Sequence, residues 1–135
     1  MTFKELDALG HETGGLHNLL GMRSILLNEQ GRISLSMAIT KDHLNPHGIA
    51  HGGAVFALCD SAAGAHAALN NRLPVTLEGS IHFYRPALPD TLLTATAFER
   101  KKGKTVSVIM GEVRDDQGRH IADTTFSMFY TTSKH

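Results

Sequence analysis

The residues best suited to chemistry are the run Asn45-Pro46-His47-Gly48-Ile49-Ala50-His51-Gly52-Gly53 and, seven positions further on, Asp60. Gly52 and Gly53 stand where a helix is expected to begin, so their amides lie at the positive end of the helix dipole with no side chain to shield them. Such amides suit a developing oxyanion, and losing one oxyanion donor typically costs about 10²- to 10³-fold in kcat. Asp60 is the only acidic residue between Asp42 and Glu78, and it falls in the most apolar helical stretch of the chain. A carboxylate there has either a chemical task or a partner. The pattern leaves both open: a catalytic acid/base, or a side chain that faces water or caps a neighbouring loop.

Spacing adds a constraint. Eight residues of helix separate Gly52 from Asp60, a rise of about 12 Å. Oxyanion donors and an acid/base must each work within about 3 Å of one carbon, or one water further. A two-fold dimer meets that need, because the helix start of one subunit can face the helix middle of the other. Two composite sites per dimer are therefore expected.

Those residues must be held by the elements around them. Gly53 to Leu69 is free of proline and crowded with alanine, which favours one long helix. Its apolar residues run nearly all the way round, which predicts burial on most sides. Ile33, Leu35, Met37 and Ile39 alternate with smaller or polar residues, as a half-buried strand does, and Asn28-Glu29-Gln30-Gly31 reads as the turn of a hairpin within Leu19 to Thr40. Residues 41–50 form a loop. Strands follow over Val75–Tyr84, Thr91–Arg100, Thr105–Arg114 and His120–Thr131, separated by turn-forming runs. Near the start, Phe3, Leu6 and Leu9 suit a short amphipathic helix ending near Gly14-Gly15. The expected architecture is α+β: one domain, residues 1–135, an antiparallel sheet of about six strands packed on a single long helix.

At 135 residues, with 41% hydrophobic and 19% charged, the chain is of ordinary size for one globular domain. Thirteen basic residues balance thirteen acidic ones, which argues against a nucleic-acid partner. No apolar run reaches membrane-spanning length, and the first residues lack the basic and apolar regions of a signal peptide. A single cysteine, Cys59, fits a reducing compartment. A cytoplasmic protein is expected.

The quoted residues, with Tyr84-Arg85-Pro86-Ala87, resemble the hotdog-fold thioesterases, in the branch that holds the phenylacetic-acid-degradation thioesterase and the vertebrate thioesterase superfamily member 2. The resemblance runs from about Leu19 to Tyr130. It implies a sheet wrapped around one central helix, hydrolysis of an aromatic or fatty acyl-CoA, no cofactor, and homodimers that commonly pair into tetramers. By position it implies that the Asn45 amide and the Gly52 N–H contact the thioester carbonyl. Asp60 is then general base or nucleophile, supplied by the opposite subunit, and Thr76 helps to place the water.

Other candidates have plainer roles. His43, His47 and His51 recur every four residues, but Pro46 and Gly48 break any helix between them, so no metal site is expected. His51 and Gly53 sit beside the oxyanion amides and are assigned to substrate binding. Cys59 points about 100° away from Asp60 on a helix and reads as a small core residue. Gly103-Lys104-Thr105 mimics a phosphate-binding loop, but Phe98 holds the place of its first glycine. Lys101, Lys102 and Lys104 are candidates for the phosphates of coenzyme A. Two rival functions remain at this level, an acyl-thioester hydratase or dehydratase and a non-catalytic acyl-CoA-binding module.

Overall fold

The structure, a computed structural model, describes residues 15–69 and 72–131, the side chains of 24–26 excepted. Its elements are a short helix α1 (Gly15–Leu19), strands β1 (Met22–Leu27) and β2 (Ile33–Ala38), the long helix α2 (Gly52–Ala67), and strands β3 (Leu73–Phe83), β4 (Leu92–Lys101), β5 (Val106–Arg114) and β6 (His120–Thr131). The helix expected to end near Gly14-Gly15 lies outside the described residues. α1 starts at Gly15, and Gly21 stops it at φ +72°, the left-handed backbone that glycine tolerates best.

All six strands form one antiparallel sheet in the order β1-β2-β4-β5-β6-β3. Neighbours joined by short turns, such as β4–β5 and β5–β6, pair as hairpins do. The two long-range pairings, β2 with β4 and β3 with β6, carry the chain across α2 and curl the sheet around it. Leu58, Ile109, Phe126 and Leu93 are fully buried between them, each worth about 1.5–3 kcal/mol of transfer free energy.

α2 buries Ala54, Val55, Leu58, Cys59, Ala62, Ala63 and Ala67 on the sheet. The remaining face, with Ala57, Asp60, Ser61 and Gly64 half-buried, lies outside the core. Apart from Gly53 every residue of α2 is buried or half-buried, as the sequence pattern led one to expect. β3 passes close beneath the helix: a Cβ on Gly79 would lie 2.4 Å from the Phe126 ring and 2.9 Å from that of Phe56. β3 also ends the sheet. Val75 and Leu77 are 41% and 64% exposed along it. Among the described residues, no helix is long and apolar enough to cross a membrane.

Candidate active site

The loop between β2 and α2 is built to deliver one amide. Asn45 Oδ1 accepts hydrogen bonds from the N–H of His47 (2.9 Å) and Ile49 (3.4 Å), closing residues 45–49 into a tight turn. That commits the side-chain oxygen and leaves the Nδ2–H donors for another partner. The Ala50 N–H donates to Ala87 O at 2.8 Å, and the His51 N–H to His43 O at 2.7 Å, so the loop is pinned on both sides of the helix start.

His51 is the N-cap of α2, and its Nδ1 accepts from the Gly53 N–H at 2.8 Å. The amides of Ala54 and Val55 turn back to His51 O. Gly52 N–H alone in this turn has no acceptor among the described residues. Both glycine amides were expected to be open, but the imidazole occupies that of Gly53. This gives His51 a capping role and takes Gly53 out of the set of available donors. A hydrogen bond of His51 within its own loop was the plainer expectation for this residue, and the structure identifies Gly53 N–H as the donor.

A cavity of about 420 Å³ lies against Gly52, lined by Asn45 and Ile49 from the loop and by Phe83, Tyr84, Arg85 and Ala87 from the end of β3 and beyond. A Cβ on Gly52 would sit 3.2 Å from the Phe83 ring. Phe83, Tyr84 and Arg85 were not among the expected site residues. Their signal was the Tyr-Arg-Pro-Ala run already used for the family resemblance.

Asp60, two turns further along α2, is half-buried and faces β3. Its Oδ1 accepts from Thr76 Oγ1 at 2.6 Å, a short charge-assisted bond that fixes the carboxylate rotamer. Asp60 and Thr76 are thus together, as are Asn45 and Gly52, but the two pairs belong to different ends of β3. Thr76 and Phe83 are seven strand residues apart, roughly 23 Å.

Lys101 ends β4, and Lys102 and Lys104 lie in the β4–β5 turn, where a Cβ on Gly103 would come within 1.8 Å of Val106 O. Tyr130 N–H bonds to Thr105 O, and β3 pairs with β6 through Leu73 and Thr131. The lysines therefore stand at the Leu73 end of β3, away from the cavity at Gly52 of their own chain.

Cys59 adjoins Asp60 in sequence but is 1% exposed in the core. Burial pushes its thiol up to about 12; Thr124 lowers it and the charges of Asp60 and Asp123 add to the rise. At neutral pH it is a thiol without nucleophilic character. Of the three loop histidines, His43 is buried, with Nε2 2.7 Å from Leu20 O and Nδ1 accepting from the Thr40 N–H at 3.0 Å. His51 caps α2. A different group, Glu112, His120 and Asp123, clusters on the outer face of the sheet with donor atoms within 4.8 Å of one another. Its members are engaged with Arg114 and Tyr84: Arg114 Nε donates to Glu112, and Tyr84 Oη–H to Asp123 at 3.0 Å.

Comparison with known proteins places this geometry in a family. The thioesterase superfamily model matches residues 47–122. Acyl-coenzyme A thioesterase PaaI of Escherichia coli is 31% identical over 112 residues, which is 83% of this chain and 79% of that protein. The structure of E. coli PaaI superposes with a TM-score of 0.90, 26% identity, and coverage of 98% of this chain and 95% of that one. A Streptococcus pneumoniae thioesterase solved with coenzyme A superposes at 0.78, with 27% identity and coverage of 84% and 88%. That streptococcal protein was also solved with an aspartate-to-alanine and with a threonine-to-alanine substitution, at sites sixteen residues apart. The chain belongs to the thioesterase superfamily and is a hotdog-fold acyl-CoA thioesterase of the PaaI type.

Proposed function

We propose that the protein hydrolyses an acyl-CoA thioester at two composite sites of a homodimer, each built from Asn45 and Gly52 of one subunit and Asp60 and Thr76 of the other. The observation that carries this reading is the division of the candidate residues between the two ends of β3, a strand with one edge unpaired among the described residues. Two-fold pairing of β3 with its copy runs the strands antiparallel. The Thr76 end of each then lies beside the Phe83 end of the other, and two six-stranded sheets become one. The same pairing brings the Lys101, Lys102 and Lys104 turn of one subunit toward the cavity at Gly52 of the other, where ammonium groups would meet coenzyme A phosphates. A dimer of such dimers, and a cytoplasmic setting that keeps Cys59 reduced, are consistent with this arrangement.

In this reading the thioester oxygen accepts from the Gly52 N–H and from Asn45 Nδ2. Asp60 Oδ1 is held by Thr76, so Oδ2 takes a proton from water as the water oxygen adds to the carbonyl carbon. The charge that develops on the oxygen falls on donors already in place, which is where most of the rate gain arises. The carbon–sulfur bond then breaks, and coenzyme A departs as a thiolate, which needs no strong general acid. His51 supports the reaction by keeping Gly53 occupied, and with it the direction of the Gly52 amide. The spacing of sixteen between Asp60 and Thr76 equals that between the two residues substituted in the streptococcal thioesterase.

Asp60→Asn tests the reading, since it keeps shape and removes the charge. Thiol release from an acyl-CoA panel is expected to fall about 10²- to 10⁴-fold in kcat with KM little changed. Undiminished turnover by this variant would refute the assignment.

A further inference from the structure

The Gly52 amide takes its direction from the residue before it, and His51 is held from behind. Its N–H donates to His43 O at 2.7 Å. One step further in, Leu44 and Ala50 form an antiparallel bridge, and then the Asn45 N–H donates to Ile49 O at 2.8 Å. Residues 43–51 are thus a miniature hairpin. The bond between His43 and His51 closes its open end, and the chain leaves that end straight into Gly52. What holds His43 therefore holds the Gly52 amide.

His43 is held by its own ring, which lies in a residue only 7% exposed. Nε2 is 2.7 Å from Leu20 O, an atom that can only accept, so Nε2 carries the ring proton. Nδ1 accepts from the Thr40 N–H at 3.0 Å, so it is bare. Neither partner tolerates the other tautomer. Thr40 is itself fixed by its neighbour Ile39, whose N–H donates to Thr91 O at 2.8 Å and whose carbonyl accepts from the Asp90 N–H at 2.9 Å. Leu20 lies between α1 and β1. The imidazole thus ties the base of the miniature hairpin to two separate parts of the fold, the end of β2 and the turn after α1. A buried polar network with every member satisfied is rigid.

We infer that His43 is a positioning residue for the hydrolysis: its ring fixes the base of the 43–51 hairpin and thereby aims the Gly52 N–H at the thioester oxygen. The inference rests on the reading of Gly52 as oxyanion donor. His43 does not line the cavity at Gly52, so it acts through His51 and not by touching substrate. The effect is large for a residue outside the cavity, because a misplacement of about 1 Å costs a reaction about 10²-fold.

Two variants separate the two ring bonds. His43→Asn keeps an acceptor in the place of Nδ1, and with it the Thr40 bond, but loses the donor to Leu20 O. His43→Gln carries an amide N–H that reaches as far as Nε2. In His43→Asn kcat for thiol release is expected to fall about 10- to 100-fold with KM within about two-fold. Deuterium exchange of the His51 amide is expected to quicken at least about ten-fold. His43→Gln should regain most of the kcat. Wild-type kcat in His43→Asn, a loss carried by KM, or an equal loss in both variants overturns the positioning role. Should His43→Asn fail to fold, the wild type decides: ring-nitrogen NMR shifts of His43 must show the proton on Nε2 and a bare Nδ1, and the opposite tautomer or a freely exchanging His51 amide overturns the inference. Absence of thiol release from every acyl-CoA by wild type removes the reading of Gly52 and this role with it, a result distinct from an active wild type with unaffected variants.

Discussion

The two edges of the sheet are built differently. β1, at one end, has six residues, a register break between Ser24 and Leu26, and the exposed cation Arg23. Shortness, irregularity and charge are the usual protections of an edge from unwanted pairing. β3, at the other end, has eleven residues and exposes Val75 and Leu77; it has no lysine or arginine, and its only protections are Pro74 near its start and the exposed charge of Glu78. Its bulge at Leu77 lies within the pairing to β6. A long edge that exposes Val75 and Leu77 is a liability in a monomer and an asset in a dimer. Asp60 and Thr76 stand at this second edge and nothing comparable among the described residues stands at the first, so assembly and catalysis are expected to fail or survive together.

The largest contrast should come from placing one lysine on each edge in turn. Leu77→Lys is expected to shift sedimentation from dimer to monomer and to lower thiol release at least about 100-fold, because each site loses half its groups. Leu27→Lys, at a 39% exposed position of β1, should change neither. Dimeric, active Leu77→Lys would break the link between edge and site.

Thr76→Val, nearly isosteric, asks what the β3 edge contributes beyond pairing. It removes one hydrogen bond to a carboxylate, so kcat should drop about 10- to 100-fold while sedimentation stays dimeric. A drop in KM-dependent binding with kcat intact would place Thr76 in substrate contact instead.

The smallest effect belongs to a position on neither edge. Asp115, in the β5–β6 turn, has a side chain 2% exposed and accepts from the N–H of Gln117 and Arg119 and from Arg119 Nε at 2.7 Å. Burial pulls its carboxyl upward, but the bonds from Arg119 and Gln117 outweigh it and leave the group below the usual carboxylate range. A group depressed on folding adds stability above its unfolded value, about 3.9, and loses it as pH falls through the lower folded value. Asp115→Asn is therefore expected to lower Tm by a few degrees at pH 7 and to approach wild type as pH falls through the depressed folded value. Thiol release at 25 °C should be unaffected, in contrast to either change on β3.

Much of the fold was legible because its causes are local. Alternation along Ile33, Leu35 and Met37, the turn residues Asn28 to Gly31 and Asp115 to Gly118, and the alanine-rich run before Leu69 each act within a few residues. The site was legible in part for the same reason. Two glycines at a helix start and a lone aspartate in an apolar helix carry their chemistry in residue type and spacing. Which face of α2 is fully buried was not legible, since alanine and glycine report little about their surroundings.

The amino-acid order was enough to mark Gly52 and Asp60 as candidates, with Asn45 added by the family resemblance, and to show that one helix could not bring Gly52 and Asp60 to a common carbon. It could not show that His51 turns its ring onto Gly53, that Thr76 meets Asp60 at 2.6 Å across sixteen residues, or that β3 ends the sheet. Those depend on rotamers and on the long-range pairings of β2 with β4 and β3 with β6. Each is chosen by the packing of the whole core, and no run of neighbouring residues encodes it.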